Sequence, residues 1–384
     1  MTNLRGLNPG TGSGKLHGLD HLRALAIIAV FLFHYQLFEH PEWIETLGSF
    51  GWTGVDLFFV LSGYLIAGQL FKNNLQGKPF PVFSFYVKRF LRIIPAFLVV
   101  LCLYFMVPAF REKESLPPLW KFLTFTQNLG LDPQHQGTFS HAWSLCIEEQ
   151  FYFLLPLILV TLAFFKWFRR SGSLLLLLFL VGFVFRYYSY ITYVAPYAAQ
   201  DMFWINWSRY IYYPTPTRLD GLLIGVSIAA MQWYKPAWKQ WFDKHLIISV
   251  ILFVSFLSLA FLLNGDRSSL QASLFAFPLV ALVYGCLLLI SINPASVLYK
   301  KGSWISEIIA RLSYSLYLSH KGIIHLTQGL LSKWGIAADG AVMFCCCIVT
   351  CFLAAWLLNV LVEKPFMRLR DRLLQKKVLT KAIA

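Results

Sequence analysis

"LRALAIIAVFLFHY", residues 22–35, is the stretch on which the fold turns. Ten residues separate Arg23 from His34, and every one of them is Ala, Leu, Ile, Val or Phe. A water-facing helix would interleave polar residues; a run without them belongs in the hydrocarbon of a bilayer. No small-residue cleavage site follows, and the run continues into Tyr35, so it reads as a retained span and not a signal peptide. Ionisable groups are expensive at such depth and usually face a cavity or one another. Arg23 at one edge and His34 deep inside therefore need a reason.

Similar runs recur as far as Val362. Of 384 residues, 58% are hydrophobic and only 13% charged, about half the ~25% charged share of a soluble domain. Ten spans are expected, at 19–38, 52–71, 93–109, 144–165, 173–194, 217–232, 246–264, 269–291, 306–330 and 341–362. The fold class is thus an all-α polytopic membrane protein of about ten transmembrane helices. One set of connections and tails holds 22 Lys and Arg, including Arg5, Lys15, Lys78, Lys166, Arg169 and Arg170; the opposite set holds six, including Arg267. Cytoplasmic loops carry the positive excess, which puts both termini in the cytosol. That asymmetry accounts for the formal charge of +15 without any nucleic-acid partner. Residues 1–18 read as a flexible cytosolic tail, 19–366 as the membrane domain and 367–384 as a basic cytosolic tail. The seven cysteines fall mostly within spans and lack metal-ligand spacing, so no metal site is expected.

Topology gives each polar residue a depth. Eleven residues place Arg23 and His34 ~16 Å apart, and eleven steps of ~100° bring them back to nearly the same helix face. In the outer half the pattern gathers His34, Asp56, Glu148 or Glu149, Arg218 and Asp220, preceded by Trp143 and Ser144. The ninth span adds Ser313, Tyr317 and His320 on one face. That mixture of carboxylates, imidazoles and hydroxyls suits acid–base work on an alcohol. At the cytosolic edge Arg23 joins "KRFLRIIP" (Lys88 to Pro95, with Arg89 and Arg92), an arginine group suited to phosphate. Each group also has a structural reading. A membrane histidine can simply bond a neighbouring helix, the carboxylates can form ion pairs with Arg218, and basic residues can be interfacial anchors. The aromatic-rich outer segments near 110–143 and 195–216 read first as interface anchors, with sugar stacking as the second reading.

The ordered set of motifs resembles the membrane acyltransferase family 3, integral membrane O-acyltransferases of bacterial glycans. The resemblance rests on Arg23 with ten residues before His34, "GVDLFFVLSGYLI", Arg89-x-x-Arg92 before Pro95, "WSLCIEEQFYFLLP", "RLDGLLIG", "LSYSLYLSH" and the closing "VEKPF". Lys88 and Lys364 stand where the family commonly has arginine, with the charge kept. The resemblance implies acetyl-CoA or another acyl-CoA as cytosolic co-substrate, no tightly bound cofactor, and an inner-membrane location. It implies a glycan or other hydroxyl acceptor, with separate glycan-assembly proteins as further partners. Some relatives carry an esterase-like domain after the last span; none is expected in this chain. On this reading Arg23, Arg89 and Arg92 hold the coenzyme's phosphates. His34 is general base or acyl acceptor, its ring oriented by Asp56 or by Glu148 or Glu149. Trp143, Ser144, Arg218, Asp220, Tyr317 and His320 contact the acceptor, and a passage joins the arginines to His34. The alternative is a transporter or flippase of a lipid-linked glycan or acyl compound, which would show internal repeats; none is visible.

Overall fold

The chain is described by a computed structural model covering residues 17–76, 80, 82–165, 171–198, 200, 202–263 and 269–383. Residues 1–16 of the expected tail lie outside the described residues, as do Lys78, Lys166, Arg169, Arg170 and Arg267. The described residues are helical and contain no strand.

Ten long helices stand where the apolar runs placed them: α1 His17–Tyr35, α2 Gly54–Leu75, α3 Val82–Met106, α4 Trp143–Phe164, α5 Ser171–Ser189, α6 Asp220–Tyr234, α7 Leu246–Leu263, α8 Leu270–Ser291, α9 Trp304–Leu331 and α10 Ala341–Leu358. A further helix, α11 Lys364–Ile383, carries the basic C-terminal segment. Among the described residues eight helical stretches are long and apolar enough to cross a bilayer. The two long helices outside that set are α6 and α9. With 15 residues, α6 reaches only ~22 Å of a ~30 Å core. By contrast, α9 has 28 residues but carries Glu307, Arg311, His320, Lys321 and His325. Helix α3 begins eleven residues before the expected span at 93, so Arg89 and Arg92 belong to a helix and not to a loop.

Packing runs α1 on α2 and α9, α2 on α6, α9 on α10, and α7 on α8. In a membrane, small residues let helices approach closely. Gly63 of α2 and Gly225 of α6 do so here: a Cβ on Gly63 would lie 2.1 Å from the Leu222 carbonyl oxygen, and one on Gly225 2.2 Å from that of Val60. This contact fixes Asp56, near the start of α2, against Arg218, just before α6. Helices α5 and α7 expose most of their side chains, consistent with a lipid-facing position; α7 is apolar all round.

Candidate active site

His34, near the end of α1, lines a cavity of about 450 Å³. Much of the opposite wall is aromatic: Trp52, Trp143, Trp204, Trp207, Tyr212, Tyr213 and Phe277. Residues 203–213 reach this wall through a short helix, Phe203–Trp207, that widens into a π-helical turn, Ser208–Tyr212. Such turns frequently occur at functional sites. The second aromatic segment thus furnishes a cavity wall.

The orientation of the His34 ring follows from a chain of hydrogen bonds. His320 Nδ1 lies 3.0 Å from the Leu316 carbonyl oxygen and 2.9 Å from that of Tyr317. Carbonyls only accept, so Nδ1 carries the proton and Nε2 of a neutral ring is left as acceptor. His320 Nε2 is 2.9 Å from His34 Nδ1, which must therefore be the donor. The neutral His34 ring then keeps its lone pair on Nε2, for which the described residues supply no partner. A basic nitrogen facing a cavity, locked in one tautomer, is the arrangement a general base requires. His141 completes a cluster of three imidazoles, with ring centroids 5.6 Å from His34 and 4.9 Å from His320. Among the described residues no group of His, Cys, Asp and Glu is placed to hold a metal ion.

A second cavity, about 180 Å³, contains Arg23, Arg89 and Arg92. Arg23 has Asp20 at 3.6 Å; for Arg89 and Arg92 no carboxylate stands within 4 Å among the described residues. Arg89 instead lies over the Tyr152 ring, 5.3 Å from its centroid. Three guanidinium groups facing one carboxylate, Glu148, around a cavity leave an excess of positive charge that suits an anion. The two cavities share no lining residue. Between them Trp143 faces the histidines, while its neighbour Ser144 faces the arginines. Ser144 Oγ is 2.6 Å from the Tyr317 hydroxyl, which itself donates to the His141 carbonyl oxygen. The expected passage is therefore divided by a hydrogen-bonded septum.

The carboxylates expected to orient His34 are engaged elsewhere. Asp56 accepts from Arg218 Nη2 at 2.8 and 3.0 Å. Asp220 pairs with Arg186 at 2.6 and 3.3 Å. Arg218 does not line either cavity. Its guanidinium lies 4.0 Å from the centroid of Phe277, 4.6 Å from Tyr212 and 5.1 Å from Trp143, behind the aromatic wall. Glu148 lines the arginine cavity and accepts hydrogen bonds of 2.9 Å from the Ser62 and Tyr152 hydroxyls. It sits more than a helical turn below His141, too deep to reach His34. Glu149 lines neither cavity, and its Oε1 is buried without a partner. The partner of His34 is His320, which the sequence reading assigned to the acceptor.

An acyltransferase domain model matches residues 16–360. The chain belongs to acyltransferase family 3. It is 28% identical over 327 residues to O-acetyltransferase OatA of Staphylococcus aureus strain NCTC 8325 / PS 47, with the same figures for the OatA of strains COL and MRSA252. In each case the alignment covers 80% of this chain and 50% of the relative. The chain thus spans about half the length of the curated relatives it matches. No solved structure matches it significantly. For a family 3 acyltransferase, three residues near His34 escaped the sequence reading. His141 stood two residues before the quoted "WSLCIEEQFYFLLP" as a signal that could have been followed. Lys321 directly follows His320, and its partner Glu112 comes from a loop 209 residues earlier. Nothing local marked that pair.

Proposed function

We propose that the chain transfers an acyl group, acetyl from cytosolic acetyl-CoA, to a hydroxyl of a sugar in a surface or secreted glycan. The observation that carries this reading is two cavities back to back: one ringed by guanidinium groups, the other holding the free lone pair of His34. The name of these relatives, O-acetyltransferase, favours acetyl as the group moved. The positive-inside asymmetry supports a cytosolic arginine cavity with both termini on the same side, and the family supports an inner-membrane location.

Arg23, Arg89 and Arg92 bind the phosphates of the donor. Its slender pantetheine arm passes the septum by parting Ser144 from Tyr317, and the thioester arrives beside His34. The sugar enters from the other side and stacks on the aromatic wall, where flat rings cover the apolar faces of a sugar while its hydroxyls stay free. His34 Nε2 takes the proton of the attacking hydroxyl, and His320 holds the ring so that this nitrogen stays available. The hydroxyl oxygen bonds to the thioester carbon. Collapse expels the coenzyme thiolate, which takes the proton back from His34. General base catalysis contributes about 10²–10⁴-fold, so His34→Ala is expected to lower ester formation by that factor while leaving expression intact. Membranes given labelled acetyl-CoA, followed by release of label with alkali, measure it. Normal alkali-labile labelling by His34→Ala defeats the proposal.

A further inference from the structure

Lys321 lies mid-way along α9 with only 3% of its surface exposed, on the wall of the His34 cavity. Apart from the imidazoles, no other cationic side chain among the described residues lines that cavity. Its ammonium meets Glu112 Oε1 at 2.8 Å, and both side chains are buried. The same carboxylate oxygen accepts from the Phe139 backbone N–H at 3.1 Å. Phe139 needs that support, because its φ of 54° is in the left-handed region, where a bulky aromatic is strained. Glu112 thereby ties together the turn that carries Ser140 and His141 and the cation beside them.

A buried ion pair at membrane depth is costly to build and seldom improves on apolar packing. This one leaves capacity unused. An ammonium has three N–H donors, and Glu112 is the one acceptor that the described residues offer it. Two N–H groups remain on a fixed cation within electrostatic reach of His34, His141 and His320. Because Glu112 offsets the charge, the site has little net pull on an anionic acceptor. What it retains is directional donors, held rigidly where negative charge develops during acyl transfer, and such preorganised donors are a large part of catalysis.

We propose that Lys321 receives the carbonyl oxygen of the acyl group and carries its negative charge in the tetrahedral intermediate. This rests on the reading that transfer occurs at His34. As the acceptor oxygen bonds to the thioester carbon, the carbonyl π pair moves onto oxygen, beside the Lys321 ammonium. When the carbon–sulfur bond breaks, that pair re-forms the carbonyl and the thiolate leaves with the proton held by His34. Lys321 gives up no proton.

The test compares Glu112→Gln, which keeps the ammonium and an amide oxygen to accept from it, with Glu112→Gln/Lys321→Met, which removes both charges and leaves no lone ion. Purified full-length protein is assayed with acetyl-CoA and membranes carrying the acceptor. Relative to Glu112→Gln, the double variant is expected to lose about 10²–10³-fold in kcat, the cost of deleting one oxyanion donor, with KM for acetyl-CoA within about threefold. Lys321→Arg keeps the ion pair, and with it the fold, but shifts the donors; its expected loss is at least about tenfold in kcat at unchanged Tm. Should Glu112→Gln or the double variant fail to fold, Lys321→Arg decides alone. Wild-type kcat in Lys321→Arg, or equal kcat in the double and single variants, overturns the proposal and leaves the pair as a structural tie. Wild-type activity in His34→Ala, measured alongside, would instead overturn the underlying reading.

Discussion

Arg186 and Arg218 are treated differently from Arg23, Arg89 and Arg92. The first two are fully buried, and each is hydrogen-bonded to an aspartate through two contacts, with aromatic rings against the guanidinium. The other three border a cavity, and among the described residues only Arg23 has a carboxylate within 4 Å, with Glu148 further off on the same cavity wall. One sequence thus uses the same side chain as mortar at one end and as bait at the other. Paired charges, sealed by rings, fix the geometry of the aromatic wall; charges left facing a cavity await an anion.

The largest effect that sharpens this contrast is on stability. Asp56→Ala strands the Arg218 guanidinium in a dry interior, and breaking a buried pair from one side costs about 3–5 kcal/mol. Thermal unfolding in detergent should show that loss, and Asp56→Ala/Arg218→Met should recover much of it. An Asp56→Ala protein as stable as wild type would mean the pair is not structural. Next comes the histidine chain. His320→Leu removes the acceptor that selects the His34 tautomer, and kcat is expected to fall about a hundredfold, the lower end of what a general base supplies, with KM for acetyl-CoA unchanged. His320→Gln, whose amide oxygen can accept from His34 Nδ1, should restore part of the rate. Equal rates in the Leu and Gln variants would argue that His320 merely fills space.

Arg89→Ala and Arg92→Ala probe the other half. With no ion pair to break they should fold normally, while each lost charge-assisted bond to phosphate, worth about 1.5–3 kcal/mol, raises KM for acetyl-CoA by roughly 10–100-fold. The smallest effect belongs to Asp132, in the outer segment. Burial works against its carboxylate, but hydrogen bonds from the His135 ring and from the backbone N–H groups of His135 and Gln134, with Arg209 nearby, hold its pKa below the ordinary value. Its contribution is complete above the unfolded carboxylate pKa of about 3.9 and is lost as pH falls through the lower folded value. With its partner His135 exposed to solvent, Asp132→Asn should cost less than about 1 kcal/mol at neutral pH. A larger fall in Tm would show that this outer tie matters more than its exposure suggests.

Much of the architecture was legible because apolar run length translates directly into helices: all ten expected spans coincide with helices, their edges shifted by a few residues except at the start of α3. The grouping of two sets was legible too. Arg23, Arg89 and Arg92 do gather in one cavity, and His34 lies in another. What periodicity along one helix does not contain is the facing residue on the next. Asp56 and Arg218 are 162 residues apart, and their meeting depends on how closely Gly63 and Gly225 let two helices approach. The same gap concealed His320 as the partner of His34, Glu112 as the partner of Lys321, and the septum through Tyr317.

The division of labour between the two cavities is tested most directly by equilibrium binding of labelled CoA to purified protein. His34→Ala should bind it as tightly as wild type while forming ester about 10²–10⁴-fold more slowly, and Arg89→Ala/Arg92→Ala should lose at least about tenfold in affinity. Weakened binding in His34→Ala, or undiminished binding in the double arginine variant, would contradict it.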